Sequence, residues 1–208
     1  MASEAQQAAL FVKYKIKQLT EGNRESATKA TLAQLRRGIG RKPGSMPELW
    51  EVTFNGLPET LTRKAGEPTF GEWAVHTALT FFALHQQGKD LLDKCMDKEG
   101  AALGLSLRKL IKSDDEEKRI KRRFDAAATS DSLEEFSYHL RGLIKLLKTE
   151  NIPLDYPGLT QDLYLFQFPE ARASIRLRWG RDFYLISSAE KTENEDLSRE
   201  DGEKSENE

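Results

Sequence analysis

Cysteine is almost absent from this chain: Cys95 is the only one among 208 residues. No internal disulfide can form, which fits a reducing compartment, and a cytoplasmic protein is expected. Long apolar runs are missing too, with no stretch of about 18 residues able to span a bilayer. The opening MASEAQQAALFVKYKIKQL has neither a positive segment ahead of an apolar one nor a small-residue cleavage site, so no secretory signal is expected. Strict apolar–polar alternation between turn signals is absent, which argues against sheets.

The usual marks of catalysis are missing as well. Histidine occurs only at positions 76, 85 and 139, never with a second histidine or cysteine at metal-ligand spacing. His76 and His85 share a predicted helix but stand nine residues apart, about 180° from a common face. Gly38-Ile39-Gly40 lacks the later glycine of a dinucleotide fingerprint and follows a helix, and GxxxxGK[ST] does not occur. Asp114 to Glu117 sit at a predicted helix start, where the helix dipole accounts for them. Cys95 has no histidine near it in sequence. A non-enzymatic protein is expected, with no metal, no cofactor, no small-molecule substrate and no membrane contact.

What is present is helical period. Leu10, Phe11, Tyr14 and Leu19 predict an amphipathic first helix, and Ser26 is the expected cap of a second carrying Leu32 and Leu35. GRKPGSMP reads as a loop, with Pro47 opening a short helix through Leu49 and Trp50. Thr69 and Glu72 form a capping box for a helix with Trp73, Thr77, Phe81 and Leu84 on one face, stopped near Gly88. Leu103, Leu107 and Leu110 mark the next helix. Asp114 is the expected cap of another through Ile120 and Phe124. A second Ser-x-x-Glu box, Ser132 and Glu135, precedes the stripe Phe136–Leu140–Leu143–Leu147. NIPLDYPG reads as a loop, followed by helices marked by Leu159, Leu163 and Phe166 and by Ile175, Trp179 and Phe183. The three tryptophans, Trp50, Trp73 and Trp179, are assigned chiefly to the core. The fold expected is all-α, with about eight or nine helices in two helical-bundle subdomains, residues 1–90 and 91–188. The irregular stretch 88–102 divides them.

Charge is unevenly spread. Residues 189–208 hold nine acidic and three basic side chains, a local charge of −6. The whole chain carries −2, so residues 1–188 carry about +4. The tail has almost nothing apolar to bury and is expected to be disordered, most simply a solubilising terminus. In the body, basic residues fall into four groups. These are Arg36, Arg37, Arg41 and Lys42 around two glycines; Arg108 and Lys109 with Lys112; Lys118 to Arg123, including Arg119 and Arg122; and Arg141, Lys145 and Lys148 at i, i+4 and i+7. Guanidinium groups fork onto phosphate oxygens, and glycines let a backbone approach them. Charged outer faces are also what any water-facing helix has, and pairs such as Asp115–Arg119 would neutralise part of the third group. The fourth group has no acidic member. No aromatics are interleaved with the basic runs, which favours backbone contact over base reading. A helical adaptor that binds only acidic protein partners would fit the same charges.

Several motifs in order resemble one known family. Leu35 to Gly44 followed by Pro47-Glu48-Leu49-Trp50 resembles the N-terminal signature of CasB proteins, the small subunits of the type I-E CRISPR Cascade complex. Phe81 to His85, Leu103-Gly104 through Leu110, Arg122-Arg123-Phe124, and His139 to Lys148 continue the likeness. Ile152 to Tyr156, Asp162-Leu163 and Arg178 to Tyr184 complete it, so that it covers roughly residues 24–185. The resemblance implies a two-subdomain helical protein without catalytic activity. Its implied partners are the large subunit, the backbone subunits and a second copy of itself. It implies contact with the crRNA–DNA hybrid and with single-stranded DNA backbone, stabilising the R-loop, while cleavage falls to a separate nuclease-helicase. The acidic tail lies outside the pattern.

Overall fold

The helix that follows the Thr69 cap has no polar face. In the computed structural model, which describes residues 2–21 and 25–185, this helix spans Phe70–Gln86, and every residue from Ala74 to Gln86 is buried. A helix that is apolar all round belongs in the centre of a protein. The predicted face Trp73–Thr77–Phe81–Leu84 is therefore only one side of it, and Trp73 itself is half-buried. The capping box forms as expected: Thr69 Oγ1 accepts from Glu72 N at 3.1 Å, and Glu72 Oε2 accepts from Thr69 N at 2.7 Å.

In chain order the described residues form α1 (Glu4–Glu21), α2 (Glu25–Arg37), α3 (Trp50–Thr53), α4 (Phe70–Gln86), α5 (Leu103–Arg108), α6 (Asp114–Ala128), α7 (Leu133–Glu150), α8 (Tyr156–Leu165) and α9 (Pro169–Tyr184). Single 3₁₀ turns at Pro47–Leu49 and Glu59–Leu61 join them. The all-α class is as expected: among the described residues there is no strand, only an isolated bridge between Asp97 and Leu154. Among the described residues no helix is long and apolar enough to cross a membrane. The expectation for residues 189–208 lies outside the described residues. α1, α2, α7 and α8 surround α4, and one hydrophobic cluster includes residues from Ala5 to Phe183.

Local corrections follow from this packing. α1 lies against both α4 and α8, so its buried stripe is Ala5, Ala8, Phe11, Val12 and Ile16, where alanines allow close approach. Leu10 and Tyr14 stay 60% and 53% exposed, contrary to the face predicted from them. Ser26 lies inside α2, not at its cap. α6 is capped by Ser113, whose hydroxyl accepts from Glu116 N, and Asp114 is its first residue. Ser132 caps α7, but Glu135 reaches back to Asp131 N instead of closing the box. The expected NIPLDYPG loop ends at Asp155, which caps α8 by accepting from Gly158 N at 2.7 Å. Trp179 is buried among Phe136 and Phe166 and donates to Asp162 at 2.6 Å. Trp50 is half exposed, its indole donating to Gly44 O at 2.9 Å.

Two consequences are measurable. α5 meets α9 through Gly104, where an added β-carbon would lie 2.5 Å from Trp179 O. Gly104→Ala is expected to lower stability by about 1–3 kcal/mol in denaturant titration, an overpacking effect against rigid backbone. Gly180→Ala, where a β-carbon meets nothing within 4 Å, should leave stability unchanged or raise it. The second concerns His85, wholly buried and hydrogen-bonded to the Tyr156 hydroxyl at 3.1 Å. Burial pushes its imidazole down from 6.5 to about 4. The unfolded chain binds a proton in that window that the folded chain refuses, so stability is intact above pH 6.5 and falls as pH drops through it. Asp97 and Asp162, both raised from 3.8 to about 6 chiefly by burial, take up a proton in the fold below about pH 6 that the unfolded chain still refuses, and so act in the opposite sense. Comparison with His85→Gln isolates the histidine: the stability difference between wild type and variant should shrink by about 1–3 kcal/mol from pH 7 to 4.5. A constant difference would exclude this role.

Candidate nucleic-acid interface

α6 opens with four acidic residues and then becomes basic, so its dipole-favoured end and its cationic body are separate. The basic body faces α7 across a cleft of about 730 Å³. Asp115, Lys118, Arg119, Arg122, Arg123 and Ala126 line one wall, four cations to one carboxylate, and Tyr138, His139 and Gly142 the other. Gly142 has no side chain to fill the gap; a β-carbon there would sit 3.6 Å from Arg123 Nη1. Arg119 pairs with Glu116 at 3.6 Å, not with Asp115 as expected, and both partners are substantially exposed. Such exposed pairs are worth little. Among the described residues Lys118, Arg122 and Arg123 form no ion pair.

The same face of α7 continues the basic surface. Helical spacing sets Tyr138, Arg141, Lys145 and Lys148 along one stripe, about 15 Å from end to end. The residues behind it, Leu140, Leu143 and Leu147, are fully buried, which fixes how the helix is rotated. At the far end Lys148 donates to Gln87 Oε1 at 2.9 Å. Its ammonium is pushed down by partial burial first, then by Arg36 and Lys145. Lys89 is likewise lowered, by burial and then by Lys94 and Lys148. Arg36 from α2 and Lys145 from α7 thus lie near enough to act on Lys148, and Lys94 and Lys148 near enough to act on Lys89 in the loop after α4. Mutual repulsion there is relieved by an anion.

Not every expected residue joins these two surfaces. Arg37 pairs with Glu48 at 3.5 Å, Lys42 with Glu67 at 2.5 Å, and Arg108 with Glu117 at 3.7 Å. Arg41 and Lys109 are exposed. Gly38 does not open the backbone to a ligand. It is buried, a β-carbon there would meet Leu49 Cδ1 at 2.7 Å, and its carbonyl is hydrogen-bonded to His76 Nε2 at 2.9 Å.

Three residues escaped the reading of the sequence. Lys89 and Lys94 are isolated lysines in an irregular stretch, with no local pattern to single them out. They are set in place by Gln86, whose buried amide donates to the carbonyls of Lys89, Asp90 and Lys94 and accepts from Met96 N at 2.8 Å. Tyr138 is distant in sequence from the Lys118–Arg123 run that it faces, and the rule that no aromatic accompanies the basic runs fails in three dimensions. Its position one turn before Arg141 was the available signal.

No group of three or more His, Cys, Asp or Glu side chains among the described residues is arranged to hold a metal ion. Burial raises the Cys95 thiol above its ordinary value, away from the reactive thiolate.

Comparison with known proteins agrees with this architecture. CasB from Thermobifida fusca superposes with a TM-score of 0.71 at 30% identity, covering 86% of this chain and 98% of that one. CasB from M. ruber gives 0.62 at 22% identity, covering 92% and 98%. No curated protein matches in sequence. The family model of CRISPR-associated protein Cse2 matches residues 31–184, which take in α4 to α9 and both basic surfaces. The chain therefore belongs to the CRISPR-associated protein Cse2 family.

Proposed function

We propose that this chain is a non-catalytic small subunit of a crRNA-guided Cascade complex, holding target and displaced DNA strands by their backbones and so stabilising the R-loop. The observation that carries the reading is the α7 stripe: Arg141, Lys145 and Lys148 share one face without an acidic partner, and it runs from the α6/α7 cleft to Arg36. Cations spaced along a helix recognise phosphates and carry no sequence information. None is needed where base pairing with a guide RNA supplies specificity. Strand exchange in an R-loop is nearly balanced in free energy, so a few phosphate contacts are enough to tip it. The partners proposed are the large subunit, the backbone subunits and a second copy of this chain, in the cytoplasm. Arg37, Arg41, Lys42, Arg108 and Lys109 are assigned secondary roles, because three of them already face carboxylates and the other two lie outside the gathered groups.

Arg141→Ala with Lys145→Ala tests the reading. Binding to single-stranded DNA should weaken about equally for all sequences, and the slope of log K against log salt should flatten by about 1.4, two contacts at about 0.7 each. Unchanged affinity and slope would remove the stripe from the interface. Absence of salt-dependent retention of single-stranded DNA or RNA by the wild type would favour a protein-only adaptor.

A further inference from the structure

The aromatic residue in the cleft has a role that phosphate contact does not cover. Tyr138 is 76% exposed, although it stands on a helix whose other large apolar side chains are mostly buried. Its ring meets His139 at 5.3 Å and 79°, an edge contact that braces the ring and cannot cover both of its faces. Across the cleft lie Lys118, Arg122 and Arg123. One turn further along α7, Gly142 leaves the wall without a side chain, and beyond it stands Lys145. An exposed ring beside an open cleft and flanking cations are what a single strand needs: somewhere to stack a base, and charge for the phosphates on either side. Arg123 is the only side chain close to Gly142 and is free to swing toward a phosphate.

We infer that Tyr138 is a stacking platform for one unpaired base of a single strand lying in the α6/α7 cleft. The inference rests on the nucleic-acid reading above and adds a contact to the base itself. Stacking is indifferent to base identity because every base has a π-face, so the contact preserves the sequence neutrality that guide pairing allows. It requires the base to be unpaired. The cleft therefore favours single strand over duplex, a preference that cations alone do not create.

The experiment compares full-length wild type with Tyr138→Ala, Tyr138→Trp and the Arg141→Ala/Lys145→Ala variant. Each is titrated with a fluorescent oligothymidylate and with an abasic deoxyribose-phosphate strand of the same length. Tyr138→Ala should weaken oligothymidylate binding roughly 5- to 150-fold, the range for one lost base–aromatic stack, with the salt slope unchanged. It should leave abasic binding at the wild-type level, and Tyr138→Trp should keep or tighten oligothymidylate binding. Because the side chain is exposed, thermal unfolding of these variants should match wild type. If Tyr138→Ala binds oligothymidylate as wild type does while the charge variant binds weakly, the platform is refuted and the backbone reading stands. If Tyr138→Ala weakens both strands equally, the ring acts on the backbone or the cleft shape, and base stacking is refuted. If wild type binds neither strand, both inferences fall together.

Discussion

The burial of α4 on every side is the constraint on which the rest of the structure depends. A helix buried on every side from Ala74 to Gln86 must be enclosed by other helices, and α1, α2, α7 and α8 supply the enclosure. Such a helix cannot leave polar groups unpaired without a penalty of about 1–3 kcal/mol each. Its polar side chains therefore become the fixed points of distant segments. His76 is hydrogen-bonded to the carbonyl of Gly38 after α2, His85 to the Tyr156 hydroxyl at the start of α8, and Gln86 holds the loop after its own C-terminus. The surface is organised from the core outward. Gln86 places Lys89 and Lys94 beside Lys148, and the Gly38 packing against Leu49 and Thr80 brings the end of α2, with Arg36, to the same region.

Helical class, the main capping sites and most of the core were legible because they depend on local spacing. Thr69–Glu72, Phe136–Leu140–Leu143–Leu147 and Ile175–Trp179–Phe183 all occupy the roles their spacing predicts. Errors arose where a helix has two neighbours. Large apolar residues usually mark a buried face, but α1 fits between α4 and α8 through alanines, so Leu10 and Tyr14 misled the assignment. Caps erred by one residue at α6, since Ser113 and Asp114 are both competent acceptors and only backbone geometry separates them. The basic clusters were visible as clusters. Their grouping was not, because juxtaposing Arg36 with Lys148, or Tyr138 with Arg122, depends on how α2, α6 and α7 cross.

That dependence also separates the two proposed binding surfaces from ordinary solvated charge. Arg37, Lys42 and Arg108 each find a carboxylate within 4 Å, the usual condition of a cation on a mixed-charge surface. Arg36, Lys89, Lys145 and Lys148 instead find one another, closely enough that neighbouring positive charge contributes to lowering the Lys89 and Lys148 ammonium groups. Folded proteins tolerate such crowding only where other interactions position the groups; here buried leucines orient α7 and the Gln86 amide orients the loop. On the proposed function, an arriving phosphate would relieve that repulsion, and the folded state would hold the group ready for it.

On the proposed function the two surfaces would differ in what they recognise. The Arg36–Lys148 end is cationic, with Lys148 tied to Gln87, and on the proposed function it offers charge alone. The α6/α7 cleft is open and holds an aromatic ring between its cations and the stripe. A strand crossing from one to the other along α7 would be gripped by charge at one end and by charge and stacking at the other. Only the second contact depends on the strand being unpaired. On the proposed function, a subunit that holds a displaced strand without competing for intact duplex needs that asymmetry, and Gly142, whose place in the wall is taken only by the flexible end of Arg123, is where the cleft could open beside Tyr138.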